Sequence, residues 1–142
     1  MLLHMKKKRQ KLINPGQVII PVGHPNPPEL HEENTAKVLA RHFKCTVEFL
    51  VPIDDFKRKT ADIVMMGVEW EIKCPTGSSK ITIQRQFQRA SQQAKHIVID
   101  LRRTKLDYIT VEKSVRFEMS KRSYIKKVIL IDKNENVVEF QK

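Results

Sequence analysis

No apolar run in this chain approaches the roughly 18 residues that a membrane-crossing helix needs, so no spanning segment is expected. The first residues, MLLHMKKKRQK, do not read as a secretory signal either. Their basic run follows only a few apolar residues, which is the wrong order, and no small-residue cleavage site comes after it. The expectation is a domain that acts in the cytoplasm, either made there or delivered as a fragment of a larger carrier. Cysteine is scarce: Cys45 and Cys74 lie far apart without a CxxC and read as reduced core or strand residues. The five histidines (4, 24, 31, 42 and 96) show no zinc spacing with one another or with the cysteines. Aromatics are few, with six Phe, two Tyr and one Trp. A stacking platform for bases is therefore not expected, and recognition of a nucleic acid would rest on phosphates and shape.

Acids are outnumbered, 16 Asp+Glu against 27 Lys+Arg, for a net charge of +11. Such an excess favours a polyanionic partner, nucleic acid or an acidic membrane surface. The length, 142 residues, suits one domain with a real core. No repeat, low-complexity block or linker divides it. Residues 1–16 read as a basic flexible N-terminal segment and 17–142 as a single domain.

Along that domain, QVIIPV (17–22) reads as a short edge strand, since Pro21 excludes a central one, and GHPNPP (23–28) as an extended loop. ELHEENTAKVLARHF (29–43) reads as a helix with Ala36, Leu39, Ala40 and Phe43 in a narrow apolar stripe and acids near its N-terminus. Strands follow at 45–51, 61–66 and 68–74. TGSS then forms a turn whose serines cap a helix from about Lys80 to Lys95, with Ile83, Phe87, Ala90 and Ala94 on one face. HIVIDL (96–101) is a continuously apolar strand. A third helix starts at Thr104 or Asp107 and runs to about Arg122, with Tyr108, Val111, Val115 and Met119 inward. KVILI and VVEF close the chain as a hairpin around DKNEN. This order predicts an α/β or α+β layer structure with a sheet between helices.

The stretch TADIVMMGVEWEIKCP (60–75) places acids where a plain buried hairpin would carry apolar residues. If the two-residue loop is Gly67-Val68, Asp62 faces Lys73 and Glu71 lies diagonal to Asp62. If it is Met66-Gly67, Asp62 faces Glu71 directly. Both registers put Asp62, Glu71 and Lys73 on one face and leave Ile63, Met65, Trp70 and Ile72 on the other as core. Two carboxylates held this close repel unless something positive lies between them. A divalent metal with oxygen ligands would answer that, with Lys73 beside it, and the trio would suit phosphodiester hydrolysis. An ordinary Asp62–Lys73 cross-strand pair on a solvent-facing hairpin is the plain alternative.

Helix, three strands, helix, strand over residues 29–101, with this acid–acid-x-Lys arrangement, resembles the PD-(D/E)xK nuclease superfamily. A closer resemblance runs through HEENTAKVLA, KTADIVMMGVEWEIKCPTGSS and AKHIVIDLRRTK. These segments look like the C-terminal tRNase toxin domains of CdiA-type contact-dependent growth-inhibition proteins. The resemblance implies a restriction-endonuclease-like core with a C-terminal helix and hairpin. It implies that Asp62 and Glu71 bind Mg2+ (or Mn2+ or Zn2+), that Lys73 is the catalytic lysine, and that an acid on the first helix, Glu32 or Glu33, completes the site. It also implies tRNA as substrate and an immunity protein as partner. Ala61 stands where the superfamily's name puts a proline.

Around this trio, Ser78 and Ser79 are candidate caps or phosphate contacts, and Thr82, Gln86 and Gln93 lie on the polar side of the second helix. Arg102, Arg103 and Lys105, with Arg85, Arg89 and Lys95, are the candidate phosphate contacts. The functional expectation is a metal-dependent nuclease acting on RNA. The alternatives are a DNA nuclease of the same fold and a non-catalytic nucleic-acid-binding or adaptor module of a phage or mobile element. The residues do not choose an oligomeric state.

Overall fold

In the computed structural model, residues 16–52, 60–90 and 94–142 are described. The basic N-terminal arm and residues 91–93, Gln93 among them, lie outside them, while Ala94 and Lys95, expected at the end of the second helix, are not helical. Seven strands form one sheet in sequential order: β1 (Gln17–Ile19), β2 (Thr46–Phe49), β3 (Ile63–Met65), β4 (Val68–Lys73), β5 (His96–Asp100), β6 (Lys127–Ile131) and β7 (Val137–Gln141). Three helices lie among the described residues: α1 (Leu30–Phe43), α2 (Thr82–Arg89) and α3 (Tyr108–Lys121).

Pairing follows the chain. β1 lies parallel to β2 at the edge, where Pro21 costs no ladder bond. β2, β3 and β4 form an antiparallel meander. β4, β5 and β6 run parallel through the α2 and α3 crossovers, and β7 returns antiparallel. β5 and β6 are apolar on both faces because helices cover both. Ala36, Val38, Leu39 and Ala40 of α1 pack with Val47, Phe49, Ile63, Met65, Trp70 and Ile72 on one face. Ile83 and Phe87 of α2 and Val111, Val115 and Met119 of α3 pack with Ile97, Ile99, Val128 and Leu130 on the other. The expected sheet between helices is what forms, and Val38 makes the α1 stripe wider than the sequence pattern suggested.

One reading left open is decided by the structure, and a second needs correction. The β3–β4 register pairs Ile63 with Trp70, Val64 with Glu69 and Met65 with Val68, so the hairpin loop is Met66-Gly67 and not Gly67-Val68. Both loop residues have positive φ, 52° at Met66 and 75° at Gly67, as the tight turn that matches strand twist requires. Glycine takes the second position and a methionine tolerates the first. The correction concerns α2. It begins at Thr82, its N-cap position is Ile81, and no side chain caps it. Ser78 and Ser79 are therefore not caps. Instead the Ser79 N–H donates to the Thr82 hydroxyl at 3.1 Å, and Thr82 is buried rather than part of a solvated face. Lys95 precedes β5 and accepts Lys126 and Lys127 N–H groups on its carbonyl. It lies at the opposite end of that strand from Arg102, Arg103 and Lys105, so the six basic candidates do not form one patch.

Candidate functional site

The C-terminal ends of β2, β4 and β5, the start of β3 and the N-terminus of α1 meet at one end of the sheet. Asp62 stands just before β3, where the ladder slips. Its N–H reaches the Trp70 carbonyl at 3.1 Å, and its Oδ2 accepts the Ile72 N–H at 2.7 Å. The carboxylate thus takes the place a backbone carbonyl would hold and is locked against β4. Glu71 and Lys73 alternate on β4 with the core residues Trp70 and Ile72, so they share the face opposite α1. Glu71 is buried, only 4% exposed, and lies beside Ile97, while the half-buried Lys73 lies beside Ile99.

Glu32, Glu71 and Lys73 lie within electrostatic reach of Asp62. Burial pushes its pKa above the ordinary carboxylate range. The Ile72 N–H pulls it back, the negative charges of Glu32 and Glu71 raise it further, and Lys73 lowers it. Of the two α1 candidates, Glu32 is therefore the one beside Asp62. Its Oε1 also accepts the Glu29 N–H at 3.0 Å, half of a reciprocal capping box that starts α1. Glu33 points elsewhere and pairs with Lys37 at 3.7 Å.

Glu32 and Asp62 line a cleft of about 200 Å³ with His24, Asn26, Leu50 and Thr60. His24 went unnoticed in the sequence. Its Nδ1 accepts the Asn26 N–H at 3.1 Å, so its Nε2 donates to the Leu50 carbonyl at 3.0 Å, tying the proline-rich loop to the end of β2. A second cleft runs along Cys74, Pro75, Gly77, Gln86, Arg85 and Arg89. It places two exposed arginines and the polar side of α2 just beyond Lys73.

Another residue missed in the sequence is Asp100, at the end of β5 and only 3% exposed. It accepts the Thr35 hydroxyl at 2.5 Å. Arg102 grips it through Nε at 3.0 Å and an NH2 at 2.8 Å. Arg102 also lies 3.6 Å from Glu135. The Asp100 hydrogen bonds hold its pKa above the ordinary guanidinium range. Arg102 is thus engaged in joining α1, β5 and the β6–β7 turn, and is not an open phosphate contact. Arg103 and Lys105 are exposed. Cys74 lies 3.4 Å from the Thr35 hydroxyl, and burial pushes its thiol up to about 11, so it stays protonated and unreactive. Both cysteines are free.

The buried pair gives the first prediction. Arg102→Ala leaves Asp100 charged and buried with only Thr35 as side-chain partner, at a cost of about 3 kcal/mol. Arg103→Ala should change stability by less than about 0.5 kcal/mol. Urea denaturation followed through Trp70, the single tryptophan, measures both. Equal midpoints would mean that the Asp100–Arg102 pair contributes nothing.

Among the described residues no three His, Cys, Asp or Glu side chains converge closely enough to cage a metal ion by themselves. None of the described helices is long and apolar enough to cross a membrane.

Sheet order and crossovers define a mixed α/β domain whose candidate acid–lysine group sits at the ends of its interior strands. Residues 59–137, more than half of the chain, match the family described as the contact-dependent growth inhibition CdiA C-terminal domain, and the chain belongs to that family. Its fold is similar to that of a chain in the CdiA-CT/CdiI toxin and immunity complex from Burkholderia pseudomallei. The TM-score is 0.65 at 19% identity, over 89% of this chain and 100% of that one. No curated protein matches.

Proposed function

We propose that the chain is a nuclease toxin of the PD-(D/E)xK type that hydrolyses phosphodiester bonds in RNA, with a divalent metal at Asp62 and Glu71. The observation that carries this reading is the convergence on one carboxyl group: burial, Glu32, Glu71 and Lys73 all act on Asp62. A half-buried carboxylate near two other acids is a liability in a plain hairpin. It becomes useful where a cation is bound. The donors are all oxygens, which fits Mg2+ or Mn2+ better than a closed Zn2+ site of nitrogen and sulfur ligands. With only two strand carboxylates, water and substrate phosphate would supply the remaining ligands, as is usual for Mg2+. The lack of a three-ligand cage is also the feature that favours the second reading, a binding module without catalysis.

The bound metal would supply Lewis-acid polarisation of the phosphate. The remaining roles belong to the chain. Lys73 lies on the same face of β4 as Glu71 and within electrostatic reach of Asp62, where its ammonium can orient the attacking water and offset charge that develops on the phosphate. Glu32 adds negative charge at the edge of the cleft and helps retain the cation. Arg85 and Arg89 along α2, with Arg103 and Lys105 after β5, offer phosphate contacts on either side. RNA, and tRNA in particular, is favoured by the family resemblance, and DNA is the alternative substrate. An immunity protein is the expected partner, since the structure of similar fold comes from a toxin and immunity complex.

Glu71→Ala should abolish cleavage and weaken metal binding, because it removes one of two charged ligands. RNA and DNA cleavage equal to wild type would refute the assignment. Substrate affinity should fall steeply with salt, by about 0.7 in log–log slope per phosphate contacted on a single strand. Replacing Arg85, Arg89 and Arg103 together by Ala should flatten that slope by about 2. Lys95→Ala, at the far end of β5, should leave it unchanged. If only Lys95→Ala changes it, the nucleic acid crosses the other end of the sheet.

A further inference from the structure

A third cleft, of about 210 Å³, opens on the α1 face near Glu32 and, apart from Arg103, has no part in the chemistry above. It is lined by His31, Asn34, Cys74, Asp100, Arg102 and Arg103. His31 precedes Glu32 on α1, and Cys74 follows Lys73 on β4 but points to the other face, so the cleft adjoins Glu32 on the α1 face and lies across the end of the sheet from Lys73. We propose that it receives one unpaired nucleobase of the substrate strand and so sets base preference next to the cut. The inference rests on the nucleic-acid reading above and deepens it.

The chemistry of the lining selects this occupant. The buried floor is the Asp100–Arg102 pair, whose charges compensate each other, so it neither attracts nor repels a phosphate strongly. Cys74 adds a protonated thiol, a weakly polar surface suited to the face or edge of a ring. Around these, Asn34 is half-buried and Arg103 exposed. Neither side chain makes a hydrogen bond or ion pair among the described residues. A free carboxamide offers one donor and one acceptor side by side, the pattern that reads a base edge in two contacts. A free guanidinium can stack on a heterocycle or meet the phosphate that follows it. The volume is too small for a drug-sized ligand and suits a single ring system. With few aromatics in the chain, a slot of this kind replaces the stacking platform that other single-strand binders use.

The test titrates the 15N-labelled full chain with AMP, GMP, CMP and UMP separately, and with ribose 5-phosphate and inorganic phosphate. The readout is the Asn34 side-chain amide resonance. At least one nucleotide should shift it saturably where ribose 5-phosphate at equal concentration does not. Asn34→Ala should weaken that nucleotide's Kd by about fivefold or more, and Arg103→Ala should weaken it too. In RNA cleavage, Asn34→Ala should move base preference beside the cut towards parity. The proposal is overturned if no nucleotide exceeds ribose 5-phosphate. It is also overturned if Asn34→Ala leaves the preferred nucleotide's Kd within about twofold. A response to inorganic phosphate equal to that of the nucleotides makes the cleft an anion site and equally overturns it. If the chain cleaves no nucleic acid, the nuclease reading fails, and the titration still decides the cleft.

Discussion

Asp62→Asn is expected to abolish cleavage and, in metal-free buffer, to stabilise the fold. The two effects share one cause. Burial and the acids Glu32 and Glu71 raise the pKa of Asp62, so its ionised form is disfavoured in the folded chain. A carboxyl whose folded pKa is raised contributes stability at low pH and loses it as pH rises through that pKa. The wild type should therefore fall progressively below Asp62→Asn in stability between acid and neutral pH. Asparagine can still accept the Ile72 N–H that Asp62 accepts at 2.7 Å, so the hairpin is not disturbed. Added Mn2+ should raise the wild-type melting temperature and leave that of the variant almost unmoved. Thermal melts across pH 4–8, with and without Mn2+, read this out. A variant less stable than wild type at neutral pH without metal would show that Asp62 is a structural acid.

The second large effect is expected at Lys73. Lys73→Met keeps the length and apolar stem of the side chain, so its place beside Ile99 on β5 can still be filled. Loss of one positioned proton-transfer or charge-stabilising group costs about 10²–10⁴ in rate. Metal affinity should be equal or slightly higher, because a cation beside the acids has been removed. That separation distinguishes a catalytic lysine from a ligand. Single-turnover cleavage gives the rate, and Mn2+ titration through Trp70 fluorescence gives the affinity. An unchanged rate would leave Lys73 only the part of tempering the charge of Asp62.

Much of this arrangement was legible in the sequence because it follows from period-two alternation. Once β3 and β4 are strands, Ile63, Met65, Trp70 and Ile72 must share one face and Glu71 and Lys73 the other, while Asp62, just before β3 where the ladder slips, falls outside that rule. The continuously apolar HIVID and KVILI segments foretold strands buried on both faces. The turn register was not legible, since a single glycine can occupy either loop position. What decides it is whether Met66 accepts a left-handed conformation. The choice of Glu32 over Glu33 was also open, because both flank the apolar stripe of α1. The cleft that separates them is a tertiary fact.

Arg102 was misplaced for a related reason. In sequence it is one of three basic residues after a strand, while in space it belongs to Asp100. An acid ending an apolar strand was the available signal, the same one that drew attention to Asp62. Thr35 and Asn34 gave no signal, since a polar residue on an amphipathic helix reads as solvated until its neighbour is known.

The most direct measurement is cleavage of end-labelled tRNA, total RNA and DNA by the purified chain in Mg2+ or Mn2+, against the same reactions in excess chelator. The account predicts discrete RNA cleavage with metal, none with chelator, and recovery when metal is restored. Equal cleavage in chelator, or no cleavage of any nucleic acid with either metal, would contradict it.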